Sequence, residues 1–90
     1  MNTYILNFND KKTPAEMHDY LKLMLQLPDH YGRNLDALYD CLTSITAPTT
    51  ISIANLDTGN DFQMRVLNVL RDAADDNTRL RLLPKPEIWA

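Results

Sequence analysis

Leu27-Pro28-Asp29-His30-Tyr31-Gly32-Arg33-Asn34-Leu35-Asp36-Ala37-Leu38-Tyr39-Asp40-Cys41-Leu42-Thr43-Ser44-Ile45 is the stretch from which the rest of the chain is read. Residues 27–32 form a turn, in which Gly32 is expected to take a backbone conformation closed to bulkier residues. Asn34 is a good N-cap, and a helix over residues 35–44 follows it. At about 100° per residue, Leu35, Leu38, Cys41, Leu42 and Ile45 share one side, the expected core face. Asp36, Asp40, Thr43 and Ser44 share the other. Asp36 falls in the first turn, where the helix dipole favours negative charge. Asp40 is too far along the helix to gain much from it. The two acids are neighbours at four-residue spacing, which costs an isolated helix about 0.2–0.5 kcal/mol. Stability alone gives no reason for that pair.

Outward from this stretch, the periodicity switches between helix and strand. Before it, residues 3–8 alternate as a strand with Tyr4, Leu6 and Phe8 on one side. Thr13, Pro14 and Glu16 make a helix start with a capping box. Met17, Tyr20, Leu21, Met24 and Leu25 continue it as an apolar stripe, and Pro28 is expected to end it. After the central helix, residues 49–54 form a second strand with Ile51 and Ile53 inward. A turn is expected at Thr58, Gly59 and Asn60. Residues 61–75 form a third helix, burying Phe62, Val66, Val69, Leu70 and Ala73. Residues 79–83 form a third strand with Leu80 and Leu82 inward. The tail, residues 84–90, carries two prolines and Trp89; an arm wrapped over an edge and a loose end both stay open.

The order β-α-α-β-α-β implies parallel strands joined by helical crossovers. The strands alternate apolar with polar, whereas strands covered on both faces read as continuous apolar runs. One face is therefore expected to carry all the helices. Right-handed crossovers on one face step in a constant direction. The expected fold is α/β: a two-layer domain, one three-stranded parallel sheet in the order 1-2-3 with helices on one face. Ninety residues make a single domain.

Composition narrows the function. Twelve acids against nine bases leave a net charge of −3. That sign disfavours nucleic acid as a direct ligand and suits a basic protein partner. Cys41 is the single cysteine, so no disulfide forms within the chain, and its place on the apolar face makes it a small buried hydrophobe. The opening residues do not read as a signal peptide, and no apolar run approaches the roughly 20 residues of a membrane span. A cytoplasmic protein is expected.

Catalytic chemistry is poorly provided for. Gly32 and Gly59 are the only glycines, so neither a P-loop nor a dinucleotide fingerprint can be built, and no cofactor is expected. His18 and His30 lie on different elements, and one thiol is too few for a zinc site, so no metal is expected. A Cys41–His30 nucleophile pair is disfavoured by the core-side place of Cys41. Asp36 and Asp40 on a convex helix face do not make the cleft that a hydrolase needs. The exposed face of that helix instead combines Asp36, Asp40 and Thr43 with His30, Tyr31 and Tyr39, a composition suited to a protein–protein contact.

The run Leu-Pro-x-x-Tyr-Gly-x-Asn-Leu-Asp-Ala-Leu-aromatic-Asp-Cys-Leu-Thr over residues 27–43 resembles the signature of the barstar family, intracellular inhibitors of barnase-type ribonucleases. The similarity is dense and gap-free there and looser over the rest of the chain. The family's sheet and helices agree with the order read above. The resemblance implies a non-enzymatic ribonuclease inhibitor, an immunity protein or antitoxin, that plugs the active site of a basic, extracellular-type ribonuclease in a 1:1 complex. It further implies that Asp40 is the principal anchor, entering the pocket that holds substrate phosphate, and that Asp36 pairs with basic groups nearby. His30 occupies a position that stacks on the enzyme's catalytic histidine. Tyr31, Gly32, Asn34, Leu35, Tyr39, Thr43, Ser44 and Ile45 fill the contact, and Asp72 on the third helix matches an acidic contact position.

The chain departs from the family pattern at the rim. Tyr39 and Ile45 stand where the archetype has tryptophan, and Ser44 where it has glycine. The segment between the second strand and the last helix is shorter, so one short helix is expected to be missing, and so is a second cysteine. Two other readings remain beside inhibition of a barnase-like enzyme. One is a binding module of the same fold for a different toxin or a non-nuclease protein; the other is a small hydrolase using Asp36 and Asp40.

Overall fold

The computed structural model describes residues 2–83; what was expected of the tail lies outside them. β1 is Asn2–Asn7, α1 Pro14–Met24, α2 Leu35–Thr43, β2 Thr49–Ala54, α3 Asp61–Asp76 and β3 Leu80–Leu83. The strands are parallel, in the order β1-β2-β3. Register sets Leu6 beside Ile53, Tyr4 beside Ile51, Ile51 beside Leu82 and Thr49 beside Leu80. Every second residue thus aligns across the sheet, as a period of two requires. Leu6, Phe8, Ile51, Ile53 and Leu80 are buried, with Met17, Leu21, Leu25, Leu38, Leu42, Val66, Leu67, Leu70 and Ala73 of the helical layer in the same core. On the other side of β1, Thr3 and Asn7 are exposed and Ile5 keeps 63% of its surface accessible.

Local chemistry accounts for the element ends. Thr13 and Glu16 form the expected capping box of α1. The end of α1 differs from expectation. The helix closes before Pro28: Gln26 takes the left-handed conformation (φ 54°) and Leu27 N–H returns to Lys22 C=O at 3.0 Å. This is a Schellman-type stop with glutamine where glycine is usual. The loop of residues 55–60 leads from β2 straight into α3. It turns at Thr58 and Gly59, with Gly59 N–H on Asp57 Oδ1.

The buried set of α3 also differs from the expected stripe. Val66, Leu70 and Ala73 are buried as expected, but Phe62 and Val69 are half-buried, while Leu67 and Gln63 are enclosed. The Gln63 amide donates to Phe8 C=O and Lys11 C=O and accepts Asp57 N–H. A buried polar side chain with all these bonds made carries little penalty. It pins the loop after β1 to the start of α3.

Candidate partner-binding site

The central helix is fixed from both ends. At its start, Asn34 Oδ1 accepts Ala37 N–H at 2.7 Å, as a cap should. Gly32 does not have positive φ; the left-handed residue is Arg33 (φ 55°). Glycine at position 32 instead spares the cap a close contact. A Cβ there would stand 3.2 Å from Asn34 Nδ2 and 3.4 Å from the Ala37 Cβ, crowding the cap. At the far end, Asn77, which follows α3, donates from its amide to Leu42 C=O and Ile45 C=O, both at 3.0 Å. Its own oxygen accepts Arg79 N–H. A carbonyl in the last turn of α2, Leu42, and one just beyond the helix, Ile45, are thereby held by the α3–β3 junction. Leu38 and Leu42 anchor the inner face with no accessible surface, each contributing roughly 1.5–3 kcal/mol by burial.

That frame presents the expected residues in two groups. His30, Tyr31, Gly32, Asp40, Ser44 and Ile45 line a cleft of about 590 Å³ between the turn, α2 and the first residues of β1 and β2. A convex face without a cleft was expected; the loop of residues 27–32 stands beside α2 and makes one. Cys41 also departs from expectation, being half-buried and lining the cleft rather than sunk in the core. Burial and the charge of Asp40 push its thiol up, so it stays protonated and unreactive at neutral pH.

The second group gathers where α2 meets α3. The Tyr39 hydroxyl donates to the Asp76 carboxylate. This hydrogen bond, burial, and the charges of Asp76, Asp72 and Asp40 hold its ionisation above the usual tyrosine range. Carboxylates from both helices therefore converge on one phenol. Asp76 was not among the expected site residues. The sequence carried its signal, since Asp72 and Asp76 repeat on α3 the four-residue spacing of Asp36 and Asp40 on α2.

Not every expected residue offers a free side chain. Asp36, Asp40, Ser44, His30 and Asp72 are exposed, while Leu35, Tyr39, Thr43 and Ile45 are half-buried. The Asn34 side chain is occupied by capping. Thr43 and Ser44 hydroxyls donate to the helix's own carbonyls, at Tyr39 and Asp40. Tyr31 is 6% exposed and serves as a wall of the cleft. Its backbone N–H closes the turn on Pro28 C=O at 2.9 Å. Its hydroxyl reaches His18, a second residue that the sequence reading did not place near the site.

The acids of this face differ in pairing from most others; of the remaining described acids, Asp10 and Glu16 alone lack a basic partner within 4.0 Å. Asp19, Asp29, Asp57 and Asp61 each pair with a lysine or arginine. Among the described residues, no such partner lies within 4.0 Å of Asp36, Asp40, Asp72, Asp75 or Asp76. The described residues also hold no cluster of metal-ligating side chains, and no helix among them is long and apolar enough to cross a membrane.

The family model described as "Barstar (barnase inhibitor)" matches residues 1–84. The "Putative ribonuclease inhibitor YrdF" of Bacillus subtilis (strain 168) is 38% identical over 81 residues, covering 84% of this chain and 89% of the relative. A family match over nearly the whole length, on a fold with the helix, turn and acidic face described above, means that this chain belongs to the barstar family.

Proposed function

We propose that the protein is a ribonuclease inhibitor acting by occlusion, with no catalysis of its own. Asp40, Asp36 and the turn at His30 and Tyr31 cover the active site of a basic, barnase-type ribonuclease in a 1:1 complex, and Asp72 extends the contact from α3. The observation that carries this reading is the α2–α3 face, whose carboxylates have no basic partner within 4.0 Å among the described residues, beside an open cleft. A ribonuclease active site is basic because it must bind phosphate. Carboxylates on a rigid helix reproduce that charge without a cleavable bond, and the cleft leaves room for an enzyme side chain to reach Asp40. Acidic steering also speeds capture of a basic partner. An inhibitor of this kind protects the cell that makes the toxin, which suits action in the cytoplasm as an immunity protein or antitoxin. Half-buried Tyr39 and Ile45 at the rim favour a cognate ribonuclease with a contact surface different from that of barnase.

The test is titration of the purified chain into a barnase-type ribonuclease, reading RNA cleavage and association rate. Stoichiometric loss of cleavage is expected, with association slowing as salt rises. Inhibition that persists unchanged in Asp40→Ala would sink the proposed face. Full cleavage in the presence of excess wild-type chain would favour a partner of another kind.

A further inference from the structure

His18 is a titratable side chain that the inhibitory reading leaves without a task. It sits on α1 and keeps only 4% of its surface accessible. Its Nδ1 lies 2.5 Å from the Tyr31 hydroxyl. The ring stands tilted against the Tyr31 ring, with centroids 5.7 Å apart, and edge-on to Phe62 of α3 at 5.5 Å. It is thus the point where α1, the turn and α3 meet. Two charged groups bear on it. Arg33, from the turn, opposes a proton on the ring, and Asp19, from α1, favours one. They are paired with each other. α3 presents the uncharged Phe62, and the turn presents the Tyr31 phenol, whose ionisation burial pushes up to about 12.

We propose that His18 is a positioning residue for the partner-binding turn: the neutral ring accepts the Tyr31 hydroxyl proton and holds residues 30–32 in place beside α2, and protonation of the ring releases them. The phenol stays protonated throughout the physiological range, so it is always able to donate. A neutral imidazole with a free Nδ1 lone pair is the acceptor that fits. A protonated ring carries N–H at both nitrogens. It would turn this contact round and enclose a cation next to Arg33, in a site with almost no water. Opening the turn relieves that cost by admitting solvent. Tyr31 walls the cleft next to His30 and Gly32, so its release disturbs the face that contacts the partner.

The sign of the pH effect follows. Burial, then Arg33, hold the folded ring below its ordinary value of 6.5. The unfolded chain therefore binds the proton first as pH falls. Stability is complete above about pH 6.5, declines below it, and levels off beneath the folded value.

The first measurement needs no partner. Histidine ring signals and the Tyr31 and Gly32 amides are followed by NMR from pH 8 to pH 5, in wild type and in His30→Gln, which removes the other histidine. The amides are expected to titrate with His18, with a midpoint below 6.5. His18→Gln and Tyr31→Phe are each expected to abolish that titration; amides that ignore His18, or keep titrating in both variants, overturn the proposal. The second measurement rests on the ribonuclease reading. Affinity for a barnase-type ribonuclease is compared at pH 7.5 and 5.5, conditions chosen to bracket the histidine. Wild type is expected to lose more than His18→Gln by a factor smaller than about ten, since a ring held below 6.5 lies less than one unit above pH 5.5. Equal losses overturn the link to binding. Wild type without affinity at either pH overturns the ribonuclease reading, and the free-chain titration then decides the role of His18 by itself.

Discussion

Two acidic regions of this molecule are built by opposite rules. Around α1 and the N-terminus of α3, four of six carboxylates are matched: Asp19 with Arg33, Asp29 with Lys22, Asp57 with Lys12 and Asp61 with Arg65. Among the described residues Asp10 has no such partner, and Glu16 is taken up by the Thr13 cap. On the face shared by α2 and the C-terminal half of α3, Asp36, Asp40, Asp72 and Asp76 repeat at helical spacing, and two of them sit at helix C-terminal turns, where the dipole disfavours them. Tyr39 adds a hydrogen bond to this second group but no positive charge. The first region is charge arranged for the chain itself. The second has no basic partner within 4.0 Å among the described residues, and its α2 acids stand on a helix anchored by Leu38, Leu42 and the Asn77 amide.

The strongest way to break this contrast is one substitution in each region. Asp40→Ala is expected to weaken binding to a barnase-type ribonuclease by more than about 2 kcal/mol, the level of a hot spot; the top of that range comes from the barnase–barstar complex itself. Asp61→Ala, on the paired region, is expected to leave affinity within a factor of about two, since exposed pairs contribute a few tenths of a kcal/mol. Calorimetry or surface-immobilised binding at one fixed salt concentration reads both. Equal losses would erase the distinction.

The frame gives the next effect. Asn77→Ala removes the donors to Leu42 C=O, in the last turn of α2, and to Ile45 C=O, just beyond it, and is expected to cost about 1–3 kcal/mol of folding stability, measured by urea unfolding. Some of that loss should reappear as weaker inhibition, because Asp40 and Ser44 lie in the last turns of the helix that Asn77 holds. A variant that is destabilised yet inhibits as well as wild type would show that the far end of α2 is not part of the working surface.

The contrast also explains what could be read from the sequence. Strand period, capping residues and apolar stripes gave all six elements in order, with the ends of β2 at Thr49 and Ala54. These are local signals, and the fold obeys them. The candidate site was legible in the sequence as far as it lies on one helix, through Asp36, Asp40 and the turn before them. What joins elements was not. His18, Gln63 and Asn77 are polar residues enclosed by neighbours from distant parts of the chain, and an apolar pattern passes over them. Leu67 is buried outside the expected stripe of α3, a consequence of tertiary contacts that periodicity does not contain. Asp76 lies one residue past the helix expected over residues 61–75; its hydrogen bond with Tyr39 is what makes it part of a face. The left-handed conformation expected at Gly32 sits at Arg33 instead, and what a Cβ at position 32 would meet is the Asn34 cap, 3.2 Å away.

The smallest effect is also the one that separates the two regions by sign. In the free protein, Asp36→Asn removes the repulsion at four-residue spacing from Asp40, at the expense of a favourable first-turn charge. Asp40→Asn removes the same repulsion together with an unfavourable charge in the last turn of α2, so it should raise stability by about 0.3–1 kcal/mol. Asp61→Asn removes an ion pair with Arg65, 2.9 Å away, and a first-turn acid, so it should lower stability by a similar amount. Chemical denaturation of the three variants at low salt checks this. A chain selected for stability alone would lose from every one of these changes. A gain confined to Asp40, paired with the loss of affinity expected there, would mean that this carboxylate is kept at a cost to the fold because the complex requires it. A loss at Asp40 as large as at Asp61 would mean that the α2 acids stabilise the helix they stand on, and the division between the two regions would fail.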